Sequence, residues 1–280
     1  MYPNPMIWAD FPDLDVIRVE DTYYMVSTTM HMMPGCVILR SYDLIHWEVA
    51  SYVYDVLDNT PAQRLEDGQH IYGQGMWAPT LRYHKGKFYV IFVANDTRRT
   101  YLYTADSVSG PWAKQYIEGF YHDCSLLFDD DGRTYLIYGN AEIHLTELKE
   151  DLSGPKPGGL NRIIVKESEP YHLGYEGAHF YKIDGRYYAF FIHISKAAGR
   201  RTQACFAADS RKGSLRAERS LTTTWGILIR ALRREASWIR RTGNGWPCCF
   251  RIMAPSAGFR CSFRCVLRTV FRYSPRKRLK

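Results

Sequence analysis

The 280-residue chain has no apolar run long enough to cross a bilayer as a helix, which sets aside a helical membrane span. Its first residues lack both a basic n-region and an apolar h-region, so no secretory leader is expected and a cytoplasmic location is. Helical periodicity is nearly missing before residue 210, which excludes an all-α or alternating α/β organisation. Cysteine is sparse over the same stretch. Cys36, Cys124 and Cys205 stand far apart, each within or beside a strand-like run, and are expected as buried thiols rather than a disulfide framework. Residues 211–280 lack something else: they contain no Asp, one Tyr (Tyr273) and 2 acidic residues against 18 basic ones. Cys248, Cys249, Cys261 and Cys265 in that segment lack zinc-ligand spacing.

What the first 210 residues do contain is a repeat. Four anchors, Asp13, Trp77, Asp123 and Glu176, each precede by two or three residues a strand-like run at 16–19, 80–83, 126–129 and 179–182. A polar turn follows each run (Glu20-Asp21, Lys85-Gly86, Asp131-Gly132, Asp184-Gly185), and then an aromatic second strand beginning at Tyr23, Phe88, Thr134 or Tyr187. A period of about 50 residues, with Asp-Gly-type turns between strands rich in Tyr, Val, Ile and Phe, describes antiparallel meanders repeated as propeller blades. Aromatic core strands account for the aromatics but not for three carboxylates at a recurring place. If the units surround an axis, the acids converge.

The net charge of +8 describes neither half of the chain, because residues 1–210 alone sum to about −8. A basic tail ordinarily points to nucleic acid, but this one lacks interleaved aromatics and follows an acidic body. A shift of reading frame explains it better. Taking the last base of one codon with the first two of the next, Trp238-Ile239 forces an Asp, Trp246-Pro247 an Ala, Cys248-Cys249 a Leu and Met253-Ala254 a Gly. With the degenerate bases chosen freely, residues 234–265 are then compatible with a fifth strand, Asp-Gly turn, aromatic strand unit. We therefore divide the chain into a propeller domain of four blades, 1–210, and an out-of-frame basic tail, 211–280.

Motifs from four blades, in order, carry a resemblance to the family 43 glycoside hydrolases, the β-xylosidases and α-L-arabinofuranosidases. They are Asn4-Pro5 with Phe11-Pro12-Asp13-Leu14-Asp15; Pro34-Gly35; Ser41-Tyr42-Asp43-Leu44 with His46-Trp47; Met76-Trp77-Ala78-Pro79-Thr80; Asp123-Cys124-Ser125-Leu126 with Asp129-Asp130-Asp131-Gly132; and Tyr175-Glu176-Gly177-Ala178-His179. Leu14 and Cys124 stand where the family usually has Pro. The resemblance implies an all-β, five-bladed propeller with its fifth blade disrupted here. It implies Asp13 as general base, Glu176 as general acid and Asp123 as the carboxylate that orients the acid and holds its pKa up, in an inverting two-carboxylate hydrolysis. Asp15 competes for the base role. An open ring exposes sheet edges, so the chain as read is expected to be impaired while the in-frame gene encodes an active enzyme.

Softer candidates surround these acids. Trp77 resembles a sugar-stacking residue, with a core role as the alternative; His31 and Met32 lie on a loop that borders the family's pocket; and Asn140 and His193 are expected near inner strand ends, in satisfied structural roles or else touching ligand or supporting the acids. The Asp129–Asp131 triplet matches a plain hairpin and lacks EF-hand spacing; no cofactor is expected, although intact relatives can hold a structural calcium. The expected partner is an oligosaccharide, with no nucleic acid and no membrane. A non-catalytic sugar-binding propeller is the alternative of another class, and retention of all three acids disfavours it. Sequencing the gene across the codons for residues 205–213 is expected to reveal an inserted or deleted base; an intact frame there would refute the division at 210.

Overall fold

The computed structural model describes residues 7–197, 199–210 and 216–222, the last as strand backbone. Asn4-Pro5, the four tail cysteines and the remainder of the basic tail lie outside the described residues. Among the described residues sixteen strands form four antiparallel sheets, each a meander in chain order. The first holds β1 (Asp15–Val19), β2 (Thr22–Ser27), β3 (Gly35–Ser41) and β4 (Glu48–Tyr54); the second holds β5 (Met76–His84), β6 (Lys87–Ala94), β7 (Arg99–Ala105) and β8 (Ala113–Ile117). The third holds β9 (Ser125–Phe128), β10 (Thr134–Asn140), β11 (Glu142–Leu148) and β12 (Asn161–Lys166), and the fourth β13 (Tyr171–Ile183), β14 (Arg186–Ser195), β15 (Thr202–Ala208) and β16 (Arg216–Thr222). These are four blades of a β-propeller. Strand β16 pairs with β15 from Thr202↔Thr222 to Ala207↔Arg216, so the fourth blade takes its last strand from beyond residue 210.

The expected polar turns close the inner hairpins. Val19 pairs with Thr22 around Glu20-Asp21, His84 with Lys87 around Lys85-Gly86, and Ile183 with Arg186 around Asp184-Gly185. In the last two both turn residues have positive φ (49° and 83°; 49° and 79°), the type I′ geometry whose twist matches that of the strands. Burial follows the two-residue period of a strand. Val90 and Phe92 pack with Val26, Ile38 and Tyr54 between the first two blades, whereas Ile91 and Leu102 point the other way, onto Leu126 and Leu136 of the third. Phe180, Phe191 and Phe206 meet Leu127, Tyr135 and Ile137 between the third and fourth.

Polar ties cross the inner strands. Asp15, Thr80, Ser125 and His179 occupy equivalent positions, opposite Val26, Ile91, Ile137 and Phe190 respectively. Arg82 binds this layer together: it donates to Asp15 Oδ2 at 2.6 Å, to Ser125 Oγ at 2.7 Å and to the Leu126 carbonyl at 2.7 Å, and its guanidinium lies 5.3 Å from the Tyr181 ring. Thr80 Oγ1 and the Leu81 amide also donate to Asp15 Oδ2, each at 2.9 Å, and His179 Nδ1 lies 3.4 Å from Oδ1. Burial alone would raise the Asp15 pKa; Arg82, His179 and the Leu81 amide overcome it and hold the carboxyl well below the usual range. Farther out, Asp129 accepts from Lys182 Nζ at 2.6 Å and from the Tyr187 hydroxyl at 2.5 Å, so a lysine ammonium meets the first acid of the triplet.

Replacing Arg82 by Met leaves the Asp15 charge buried without its main partner. The expected loss is about 3–5 kcal/mol in urea unfolding at pH 7; a loss below about 1 kcal/mol would contradict the tie. Because the folded Asp15 pKa is depressed, its contribution is complete above the unfolded value near 4 and is lost as pH falls below it. The acid side of the stability profile is therefore expected to flatten in Arg82→Met.

Candidate active site

Two residues before each member of that inner layer, the backbone turns left-handed. The residues are Asp13 (φ 53°), Ala78 (φ 46°), Asp123 (φ 48°) and Gly177 (φ 65°). The recurring position is thus Asp13, Ala78, Asp123 and Gly177, and this corrects the sequence alignment, which put Trp77 and Glu176 there. Trp77 and Glu176 stand one residue earlier. The cause is a one-residue bulge in the second and fourth blades: Trp77↔Val93 is followed by Thr80↔Ile91, and Glu176↔Ile192 by His179↔Phe190, three residues against two. Asp tolerates the left-handed region better than most side chains, and there its carboxylate departs from the strand's alternation.

Each Asp is held by the bulge of the next blade. Thr28 Oγ1 donates to Asp13 Oδ2 at 3.0 Å while accepting the Ala78 amide at 2.7 Å. The Gly177 amide donates to Asp123 Oδ2 at 2.9 Å, and the Ala178 amide to the Asp123 carbonyl at 3.2 Å. Asp123 and Glu176 are both buried. The half-buried His122 bridges them, its Nε2 3.7 Å from Asp123 Oδ1 and 3.7 Å from Glu176 Oε2. One polar atom from each of the three lies within 4.8 Å of the others, a grouping of potential cation ligands. One oxygen of each carboxylate already accepts from protein, because Asn140 Nδ2 donates to Glu176 Oε2 at 2.7 Å. That suits an acid pair bridged by imidazole better than a metal centre.

Asp13 and Asp123 line one cavity of about 40 Å³ together with Thr80, Cys124, Gly177 and His179. Burial, and then the Asp123 charge, push the Cys124 thiol up to about 12, so it is present there as a neutral thiol. Asp15 is fully buried in its ion pair rather than turned to the cavity, which removes it as a competing base.

The other expected residues divide. Asn140 touches the acid directly. Met30 and Met76 exchange backbone hydrogen bonds, each 3.1 Å, which lays the loop carrying His31 and Met32 against the start of β5, beside Trp77. Trp77 is half-buried, and its indole N–H is buried with no acceptor among the described residues. Met32 is 65 % exposed. His193 lies apart from the carboxylates: its Nδ1 is 3.1 Å from Glu167 Oε2 and its ring stacks on Tyr175 at 4.6 Å, so it backs the strand that carries Glu176. Sequence reasoning missed His122, Thr28 and Arg82. Adjacency to Asp123 was the only signal for the first, and a charge inside an apolar strand run the signal for the last.

Residues 2–236 match the model of the glycosyl hydrolases family 43. A β-xylosidase of Formosa agariphila is 31 % identical over 205 residues, which is 68 % of this chain and 33 % of that protein. A non-reducing end α-L-arabinofuranosidase of Bacteroides ovatus is 31 % identical over 193 residues, 67 % of this chain and 35 % of that one. A solved structure described as a bifunctional GH43-CE of Bacteroides eggerthii superposes with a TM-score of 0.73 at 44 % identity, covering 77 % of this chain and 28 % of the other. The chain spans about a third of the length of the curated relatives it matches.

Proposed function

The chain belongs to glycosyl hydrolases family 43, and from that premise we propose that it carries the acid machinery of a hydrolase that removes terminal β-xylosyl units from xylo-oligosaccharides or xylan side chains. The observation that carries the reading is the placement of the acids: Asp13 and Asp123 face one cavity, and Glu176 adjoins Asp123 across His122. A space of about 40 Å³ is room for a water and not for a sugar ring, so the pentose sits at its mouth. Asp13, one oxygen fixed by Thr28, takes a proton from water attacking the anomeric carbon. Glu176 delivers a proton to the departing oxygen from the other side of the bond. Asn140 donates to Oε2, which leaves Oε1 to carry that proton. Asp123 keeps a second carboxylate close to Glu176, where like charge favours the protonated acid.

α-L-Arabinofuranose is the second substrate, supported by the arabinofuranosidase among the relatives. The setting proposed is the cytoplasm, with imported oligosaccharides as substrates. No helix of the described residues is long and apolar enough to cross a membrane. The segment beyond residue 210 is read as out of frame, and the chain as written turns over more slowly than its frame-restored form. Backbone pairing of β16 is compatible with this, because extended chain of many sequences can complete a ladder.

The two acids are separable by leaving group. A nitrophenolate leaves without protonation, whereas a sugar alkoxide does not. Asp13→Asn is expected to lower turnover of p-nitrophenyl β-xyloside and of xylobiose alike, by about 10²–10⁴-fold. Glu176→Gln is expected to lose that factor on xylobiose and far less on the nitrophenyl substrate. Equal losses for Glu176→Gln on both substrates would remove it from the acid role.

A further inference from the structure

A second depression opens on the same face of the propeller as the acids. Strand β4 ends at Tyr54 opposite Gly35, the first residue of β3, and β5 begins at Met76 opposite Ala94, the last residue of β6. The β4–β5 connection and the β6–β7 turn therefore leave their sheets at the end where Asp13 and Trp77 stand. Between them lies a cavity of about 380 Å³, lined by Asp58, Thr60, Pro61, Ala62 and Gln69 from the connection, by Asp96 and Thr97 from the turn and by Arg99 at the start of β7. That is within the range of small-ligand sites, and the lining mixes the apolar surface of Pro61 and Ala62 with polar side chains.

The two carboxylates of this depression are held differently. Asp58, its side chain 9 % exposed, accepts from the Tyr101 and Tyr116 hydroxyls at 2.6 and 2.8 Å and pairs with Lys114 at 2.9 Å and Arg99 at 3.3 Å. It is a rigid, neutralised acceptor. Asp96 accepts from Gln63 Nε2 at 2.8 Å through Oδ2, while Oδ1 is buried with no donor among the described residues. A buried carboxylate oxygen that lacks a donor calls for one. A divalent cation is a poor candidate, because Arg99 shares the lining and Asp58 is already paired with two cations. Hydroxyl groups match better: Asp96 accepts, Arg99 and Gln69 donate, Thr60 does either, and Thr97, whose proton goes to the Tyr101 hydroxyl at 2.7 Å, accepts.

A surface path connects this depression to the acid site. Tyr72, 60 % exposed, meets His31 edge-on at 5.1 Å and stacks with His70 at 4.8 Å, and Gln69 follows His70 into the depression. Exposed rings of this kind present flat faces to the apolar faces of sugars. We propose that the depression is a distal carbohydrate subsite, receiving a sugar unit of the oligosaccharide whose terminal pentose lies at the acids, with Tyr72 as the platform between them. This rests on the hydrolase reading for the identity of the terminal unit and on the cavity itself for the binding.

The test uses the full chain carrying Glu176→Gln, which slows turnover of an oligosaccharide about 10²–10⁴-fold, with xylotetraose and methyl β-D-xyloside as calorimetric probes. Adding Gln69→Ala with Thr97→Ala, or Tyr72→Ala alone, is expected to weaken xylotetraose about tenfold, the equivalent of one good polar or stacking contact, and to leave methyl β-D-xyloside unchanged. All three positions are at least partly exposed, so the fold is expected to tolerate them, with an unchanged melting temperature as the control. Xylotetraose binding that ignores both variants overturns the subsite while leaving the hydrolase reading intact. Weakened xylotetraose with no measurable methyl xyloside binding supports the subsite and removes the pentose from the acids. Binding of neither probe, by this chain or by its frame-restored form, overturns both. A melting temperature raised by calcium, and no longer raised in Asp96→Ala, overturns the subsite in favour of a cation.

Discussion

The architecture depends on one largely buried cation. Arg82 starts on the second blade and reaches the first through Asp15, the third through Ser125 and Leu126, and the fourth through the face of Tyr181. Hydrophobic contacts between blades are non-directional and would tolerate sliding or rotation of one sheet against the next. A guanidinium with fixed donor directions, satisfied by partners from separate sheets, does not. The acids sit two or three residues from the layer that Arg82 pins, so small errors in blade angle would pass directly into their separation.

The same layer explains why carboxylates so close in sequence behave differently. Asp13 and Asp15 are two residues apart, yet Asp15 is wholly buried and spoken for by Arg82, Thr80 and the Leu81 amide, while Asp13 is partly exposed and faces the cavity. The left-handed turn at Asp13 creates that difference. It recurs at Asp123, and in the second and fourth blades it falls on Ala78 and Gly177, whose amides turn back to secure the two Asp side chains, through Thr28 in one case and directly in the other. Glu176 then projects from the residue before the turn. The acid and the base thus come from two kinds of backbone position, which suits groups with opposite tasks.

Much of this was legible in the sequence. Period, turn chemistry and aromatic alternation gave the meander and the blades, because each is a local consequence of strand geometry. The acids were legible through motifs, and Asn140 through its place near an inner strand end. The register was not. A bulge adds one residue without changing composition, so an offset of two or three residues looked like a single recurring position when it was two. Arg82 was hidden because a lone charge in a strand resembles a solvent-facing residue until its partner is known, and Asp15 lies far from it along the chain. His122 was hidden because half-buried histidines beside strands are common. His193 was expected near the inner strand ends, and it turns toward Glu167, a contact with no signature in spacing.

The account makes Asp13 and Glu176 act on opposite sides of the scissile bond, and the configuration of the released sugar reports on that directly. Proton NMR during hydrolysis of p-nitrophenyl β-D-xyloside, whose leaving group is not itself a sugar, by the chain and in parallel by its frame-restored form, resolves the first anomer before mutarotation. The expected first product is α-xylose, formed with inversion from the β-linked substrate. β-Xylose as the first product would mean a covalent intermediate on one of these carboxylates and would contradict the roles assigned to them.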